Sequence, residues 1–432
     1  MSDESLNLIP RQRASSLKTH DGTPTASILN LVKTILGASL LALPNAIQAG
    51  GYLVGFILLG MSASAAVFGL DILAHCARNM EHTKSRDSTY GGIALDLVPS
   101  MGKFIDFAVA IKCFGVSISY LIIVGDLLPD VAREWGLAEY MDGLLAERHF
   151  WITVVFLFVA VPLATLKHLD SLRVWSLIGN IAALFLVFVV FISSFNTSLN
   201  PCHQDPLPVN IAEQCAAPNV PFVPTIQILK YVSIFIFGFT CHQNIFTIHN
   251  EIEDNGRQNM RYVIVSSIAT TLCIYIVLLG SSLNTFGPTI DKDLLKMYPK
   301  STLMTICRLC ITLLVVTSYP LQTHPCRDNI THLLAKVFPR MDVFHSARIY
   351  YGITGAICLS GYIVAICVTD LSKVLAVVGA TASTFITYIL PGLFYTKLHQ
   401  NDGWTTRRIG AAVLFCAGLT VMTVCLTAIF VL

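Results

Sequence analysis

Charge is what this sequence has least of. Asp, Glu, Lys and Arg together make up 12% of 432 residues, about half the share usual in soluble domains. Hydrophobic residues make up 54%. A soluble fold has no use for so much apolar surface, so the chain reads as an all-α, polytopic membrane protein. The net charge of +2 excludes the basic footprint of a nucleic-acid binder. There is no Walker loop and no HExxH, which removes the nucleotide and zinc chemistry those motifs mark. The pair Cys307 and Cys310 stands alone in an apolar segment, without the second pair a zinc or redox site needs. No carboxylates, metal ligands or nucleophiles converge in the sequence. An enzyme is not expected, and neither a cofactor nor a metal is required.

What is there begins with a polar, unpatterned stretch, residues 1–25, expected to be a disordered cytosolic tail. It lacks the apolar core of a signal peptide. Within it "ESLNLI", Glu4 to Ile9, fits an acidic dileucine sorting pattern for lysosomes or vacuoles. Residues 26–432 form the expected transmembrane domain. About eleven segments are long enough to span: Ala26–Ala49, Tyr52–Ala77, Lys103–Leu127, His149–Leu166, Ser171–Ser194, Thr225–Asn250, Met260–Asn284, Ser301–Gln322, Phe344–Thr369, Leu371–Tyr395 and Thr406–Phe430. The stretch from Thr323 to Val337 is expected as a separate interfacial helix. With the N-terminus in the cytosol, the inside loops hold roughly three times as many Lys and Arg residues as the outside loops.

The loop 195–224 falls on the outside. It has no Lys or Arg, and it carries the glycosylation acceptor Asn196-Thr197-Ser198. Cys202 and Cys215 are the only cysteines placed in an outside loop. A lumenal compartment permits a disulfide between them.

Two spans are irregular in the same way. "LVKTILGASLLALPNAIQAGGY" carries Lys33, a Gly37-Ala38-Ser39 run and Pro44. "IFIFGFTCHQNIFTIHNE" carries Gly238, Thr240, Cys241, His242, Gln243 and Asn244 at about mid-membrane depth. Unwound backbone survives at that depth only where it lines a cavity. These are the first and sixth spans, the matching members of two five-span halves. Interrupted spans at corresponding places mark an inverted-repeat transporter. The half-helix after a break offers N–H groups to a carboxylate, and the one before it offers carbonyls to a cation. An amino acid has both groups. The expected substrate contacts are Gly37, Ala38, Ser39, Leu40, Phe237, Gly238, Phe239 and Thr240, with Tyr120 closing over them. The bland reading of these glycines is close helix packing.

At these residues the sequence resembles the amino acid/auxin permease family. "SILNLVKTILGASLLALP", "GFTCHQNIFTIHNEI" and "SYPLQTHPCRDNI" look like its first-, sixth- and eighth-span motifs, and the similarity runs from about Ala26 to the C-terminus. The "CHQN" version looks closest to the fungal vacuolar members; sodium-coupled neutral amino acid transporters are also similar. The resemblance implies a LeuT-type 5+5 inverted repeat plus one extra helix, and secondary active amino acid transport. It also implies a vacuolar or lysosomal membrane, with the plasma membrane as alternative.

In sodium-coupled members an Asn typically stands at the position of Lys33, with hydroxyl partners matching Thr317 and Ser318. The lysine departs from that pattern, so proton linkage is expected and sodium linkage is the alternative. Lys33 could instead snorkel to the interface. His242 is a further candidate for proton coupling, against a structural histidine. Lys112 and Arg308 lie deep in spans and are expected to face the bundle, with Asp71, Asp106 or Asp126 as partners. A sensor built on a transporter fold is a second class of function. Which amino acid is carried, and in which direction, stays open.

Overall fold

The computed structural model describes residues 23–79, 88–137, 141–166, 172–196, 225–252, 259–287, 301–338 and 346–431, with short pieces of the loops between. The tail expected over residues 1–25 lies almost wholly outside the described residues, as do Thr197 and Ser198 of the glycosylation motif.

The regular elements are helices: α1 Pro24–Leu36, α2 Ser39–Gln48, α3 Tyr52–Asn79, α4 Tyr90–Leu97 and α5 Gly102–Glu134. Then follow α6 Arg148–Thr165, α7 Leu172–Phe195, α8 Ile228–Gly238, α9 Ile245–Glu251 and α10 Met260–Phe286. The last are α11 Leu294–Met297, α12 Thr302–Val337, α13 Ala347–Cys367, α14 Leu371–Leu398 and α15 Thr406–Val431. Among the described residues ten helices, counting α8–α9 as one, are long and apolar enough to cross a membrane, and the bent pair α1–α2 makes an eleventh. The chain is a polytopic helical membrane protein.

Helix starts follow local chemistry. Thr23, Ser301, Ser346 and Asp370 each accept a hydrogen bond from a backbone N–H in the first turn of α1, α12, α13 and α14, which satisfies donors that no helix can satisfy itself. α5 and α14 are the most buried spans, and α15 the least. Small residues allow the tightest approaches: a Cβ on Gly392 would lie 2.5 Å from the Ala411 carbonyl of α15.

One expectation fails. Thr323–Val337 is not a separate interfacial helix but the continuation of α12, which runs through Pro320 and Pro325. Each proline removes a backbone donor, yet buried surroundings hold the winding. Thr323 Oγ1 bonds the carbonyls of Tyr319 and Pro320 at 3.3 and 3.4 Å. Asn329 Nδ2 bonds the Pro325 carbonyl at 2.8 Å. Arg327 is buried. Its guanidinium bonds the Ala164 carbonyl and His324 and lies over the Tyr350 ring.

α14 is locally underwound. It forms wide π turns over Gly379–Ser383 and Phe385–Ile389, and Thr384 Oγ1 reaches the Gly379 carbonyl five residues back at 2.6 Å. Such bulges often mark functional positions. This one aims Thr387 at the break between α8 and α9.

Both ends of the bundle are tied. On the face with the N-terminus of α1, Lys336 pairs with Asp106 at 2.6 Å, and Ser88 and Asn250 exchange two hydrogen bonds. On the opposite face Arg148 pairs with Asp126 at 3.2 Å and Arg308 with Glu134 at 3.1 Å. Gln48 there exchanges two bonds with the backbone of Ile290. Arg308 thus faces the bundle, but its partner is Glu134, a residue not weighed from sequence. Cys202 and Cys215 are joined by a disulfide, with Cα atoms 5.3 Å apart.

Candidate functional site

The chain unwinds at both expected places. α1 ends at Leu36, Gly37 takes a non-helical conformation (φ −34, ψ −120), and α2 restarts at Ser39, bent by 54°. α8 ends at Gly238, and Phe239 and Cys241 leave the helical region. A short 3-10 turn over His242–Asn244 then leads into α9. Ala38, the residue before α2, offers no side chain to cap it.

The two breaks meet at one hydroxyl. Tyr275, in the middle of α10, places Oη 2.9 Å from the Ile35 carbonyl, 3.1 Å from the Gly238 carbonyl and 2.6 Å from Ser39 Oγ. Ser39 Oγ also donates to the Ile35 carbonyl at 2.7 Å. Ile35 and Gly238 carry two of the carbonyls that helix ends leave without an intrahelical donor. The Tyr275 ring packs edge-on against Phe239, 5.5 Å between centroids. Tyr120 of α5 covers the first break: a Cβ on Gly37 would lie 2.9 Å from its hydroxyl. Leu43 lies over the second, 3.3 Å from a Cβ built on Gly238. Ser39, Leu40, Phe239, Thr240, Tyr120 and Tyr275 are at most 3% exposed, so the nest is shut from both faces. Ala38, Phe237 and Gly238 are buried with them.

Lys33 is 1% exposed and does not snorkel. It lies against Gly179 of α7, where a Cβ would come within 3.4 Å of Lys33 Cε and 2.9 Å of Leu314 of α12. Ser318 Oγ donates to the carbonyl of that same Leu314 at 2.7 Å, and Thr317 Oγ1 donates to Leu313 at 2.8 Å. Both hydroxyls spend their protons on their own helix and keep lone pairs for a cation. His242 is elsewhere. Its Nδ1 is 3.4 Å from Thr387 of α14, and its Nε2 is 3.0 Å from a Cβ built on Gly69 of α3. Lys33 and His242 therefore line different walls. Lys112 is buried on α5, nearer the end of the helix that carries Asp106 than Tyr120 is.

Sequence reasoning missed Tyr275. The available signal was a lone tyrosine at the centre of an apolar span, whose hydroxyl must find a partner there. It also missed α4, whose Tyr90 donates to the His242 carbonyl at 2.6 Å, and Gly179, which looks like any packing glycine.

A family model described as transmembrane amino acid transporter protein matches residues 20–431. The chain is 35% identical to vacuolar amino acid transporter 5 of Schizosaccharomyces pombe, over 93% of each chain. It is 31% identical to vacuolar amino acid transporter 5 of Saccharomyces cerevisiae, over 94% of this chain and 97% of that one. It is 26% identical to sodium-coupled neutral amino acid symporter 2 of Danio rerio, over 92% and 80%. A chain matched over almost its whole length, with two broken spans facing each other at its centre, belongs to the transmembrane amino acid transporter family.

Proposed function

We propose that this amino acid transporter works by alternating access on a LeuT-type inverted repeat, in a vacuolar or lysosomal membrane, with its N-terminus in the cytosol. It moves free amino acids from the lumen to the cytosol and is linked to protons rather than sodium. One observation carries the reading: the carbonyl ends of α1 and α8 converge within reach of a single hydroxyl. Those carbonyls receive the substrate's ammonium. The uncapped start of α2 receives its carboxylate. Tyr120 closes over the head group, and Leu40, Phe237, Phe239 and Thr240 surround the side chain. The names of the two fungal relatives favour a vacuolar membrane. The same topology makes the loop with the Cys202–Cys215 disulfide and the acceptor Asn196 lumenal.

Lys33 supports proton linkage. In this reading the buried Lys33 ammonium, which shares the Gly179 wall with Leu314 of α12, takes the place of a sodium ion that Thr317 and Ser318 would help to hold. His242 has a structural role in this reading, bonded as it is to Thr387. The second reading is a sodium-coupled neutral amino acid symporter of the plasma membrane, which the fish relative's name favours. A sensor on the same fold is the third. The test is radiolabelled amino acid flux into liposomes under imposed sodium or proton gradients. Bulk flux that follows the proton gradient and ignores sodium supports the proposal. Dependence on sodium selects the second reading, and binding with negligible flux selects the sensor.

A further inference from the structure

The nest between the breaks is short of protons. Its four oxygens, from Ile35, Gly238, Ser39 and Tyr275, lie in four contacts of 2.6 to 3.1 Å. Carbonyl oxygens only accept, and each hydroxyl has one hydrogen to give. Two hydrogens must serve all four contacts, so they are shared between acceptors and none of the oxygens is fully supplied. Both hydroxyl residues are at most 1% exposed, which leaves no bulk solvent to make up the difference. An ammonium brings three N–H donors and a positive charge. The nest therefore has the acceptors for an amine and a phenol in the amine's place.

We propose that Tyr275 is a built-in stand-in for the substrate's amine. With no substrate, its hydroxyl holds the carbonyl ends of α1 and α8 and lets the empty carrier close and change sides. When substrate binds, the ammonium takes both carbonyls and the hydroxyl gives them up. The proposal rests on the amino acid reading above and adds a role that reading does not require.

The consequence concerns the mode of transport. Exchange needs only the loaded carrier to cross. Net transport also needs the empty carrier to return. A bare pair of buried carbonyls would penalise the empty closed state alone, because an amine satisfies them in the loaded one. Tyr275 removes that penalty, so the carrier performs net transport and is not restricted to exchange. Edge-on packing against Phe239, a residue of the second break, lets movement of the ring and rewinding of the break go together.

The test uses the purified full chain in liposomes loaded with a radiolabelled mixture of amino acids. Efflux is timed into buffer alone, then into buffer containing the same unlabelled mixture. In wild type the two rates should agree within about threefold. In Tyr275→Phe, which keeps the ring and its packing, the ratio of net to exchange flux should fall about tenfold, the usual effect of one lost buried hydrogen bond. A merely structural tyrosine would lower both modes together, and an unchanged ratio overturns the proposal. Should Tyr275→Phe yield no folded protein, wild type decides. Efflux into bare buffer supports the proposal, and strict dependence on external substrate overturns it. A wild type inert in both modes brings down the transport reading as well, an outcome distinct from a changed or unchanged ratio.

Discussion

Tyr90 donates its hydroxyl to the carbonyl of His242 at 2.6 Å, tying the short helix α4 to the break between α8 and α9. The ring also packs edge-on against Phe246 of α9, 4.5 Å between centroids. One turn further along α9, Asn250 exchanges two bonds with Ser88. α9 has only seven residues, too few to hold its place alone, so these bonds fix where the lower half of the sixth span lies. Asn244 also donates to Thr34 in the last turn of α1 at 2.9 Å, tying the two breaks together. In the proposed alternating-access cycle, opening on this side requires these ties to part.

Weakening the ties should therefore open this face. Tyr90→Phe and Asn250→Ala should each raise the rate at which the buried thiol of Cys241 reacts with a maleimide, read by peptide mapping. The expected increase is about fivefold to tenfold per variant, in line with one or two lost hydrogen bonds. An unchanged rate in both variants would mean that the face opens elsewhere.

The opposite face depends on a buried ion pair. Arg308 and Glu134 have side chains 3% and 11% exposed, and Arg308 also bonds the Leu295 carbonyl at 3.1 Å. Removing one partner leaves a buried charge uncompensated, at a cost of about 3–5 kcal/mol. Glu134→Leu should lower the melting temperature in detergent markedly, and adding Arg308→Met should recover much of the loss. A double variant as unstable as the sum of its parts would argue against direct coupling.

At the first break, space is limiting. A methyl group on Gly37 would sit 2.9 Å from Tyr120 Oη, and the next nearest atom of that ring is 3.4 Å away. Gly37→Ala should raise the KM for amino acids about tenfold or more by displacing the closing ring. Gly37→Ala with Tyr120→Phe should restore part of it, because the clashing atom is gone. Failure of the second change to help would mean that the break itself, not the ring, is intolerant.

Lys33 should decide the coupling ion. Lys33→Asn removes the resident ammonium and introduces the side chain that the resemblance to sodium-coupled members implies at this place. Uptake into liposomes should gain a response to a sodium gradient and lose its response to a pH gradient. A variant that stays proton-driven and sodium-blind would remove Lys33 from the coupling mechanism.

The two breaks were legible because glycine followed by small or polar residues interrupts an otherwise apolar run, a local conflict that lipid does not forgive. Span ends such as Tyr52 of α3 and Met260 of α10 were legible because hydrophobicity changes abruptly there. The course of α12 was not. The apolar run ends near Gln322, and the burial of Thr323, Cys326 and Arg327 among neighbours, which no hydropathy pattern shows, goes with winding that continues to Val337. Nor could the sequence tell which wall each polar residue lines. Lys33 and His242 both looked like coupling groups, yet one faces α7 and α12 and the other α3 and α14. Tyr275 sits 236 residues from Ser39 in the chain and 2.6 Å from it in space. No spacing rule connects such a pair.

The most direct measurement is an experimental structure of the protein saturated with an amino acid it transports. The ammonium nitrogen should lie within hydrogen-bond distance of the Ile35 and Gly238 carbonyls, the carboxylate at the start of α2, and the Tyr275 hydroxyl should be withdrawn from both carbonyls. Substrate bound away from these helix ends, or Tyr275 still bonded to both beside it, would contradict this arrangement.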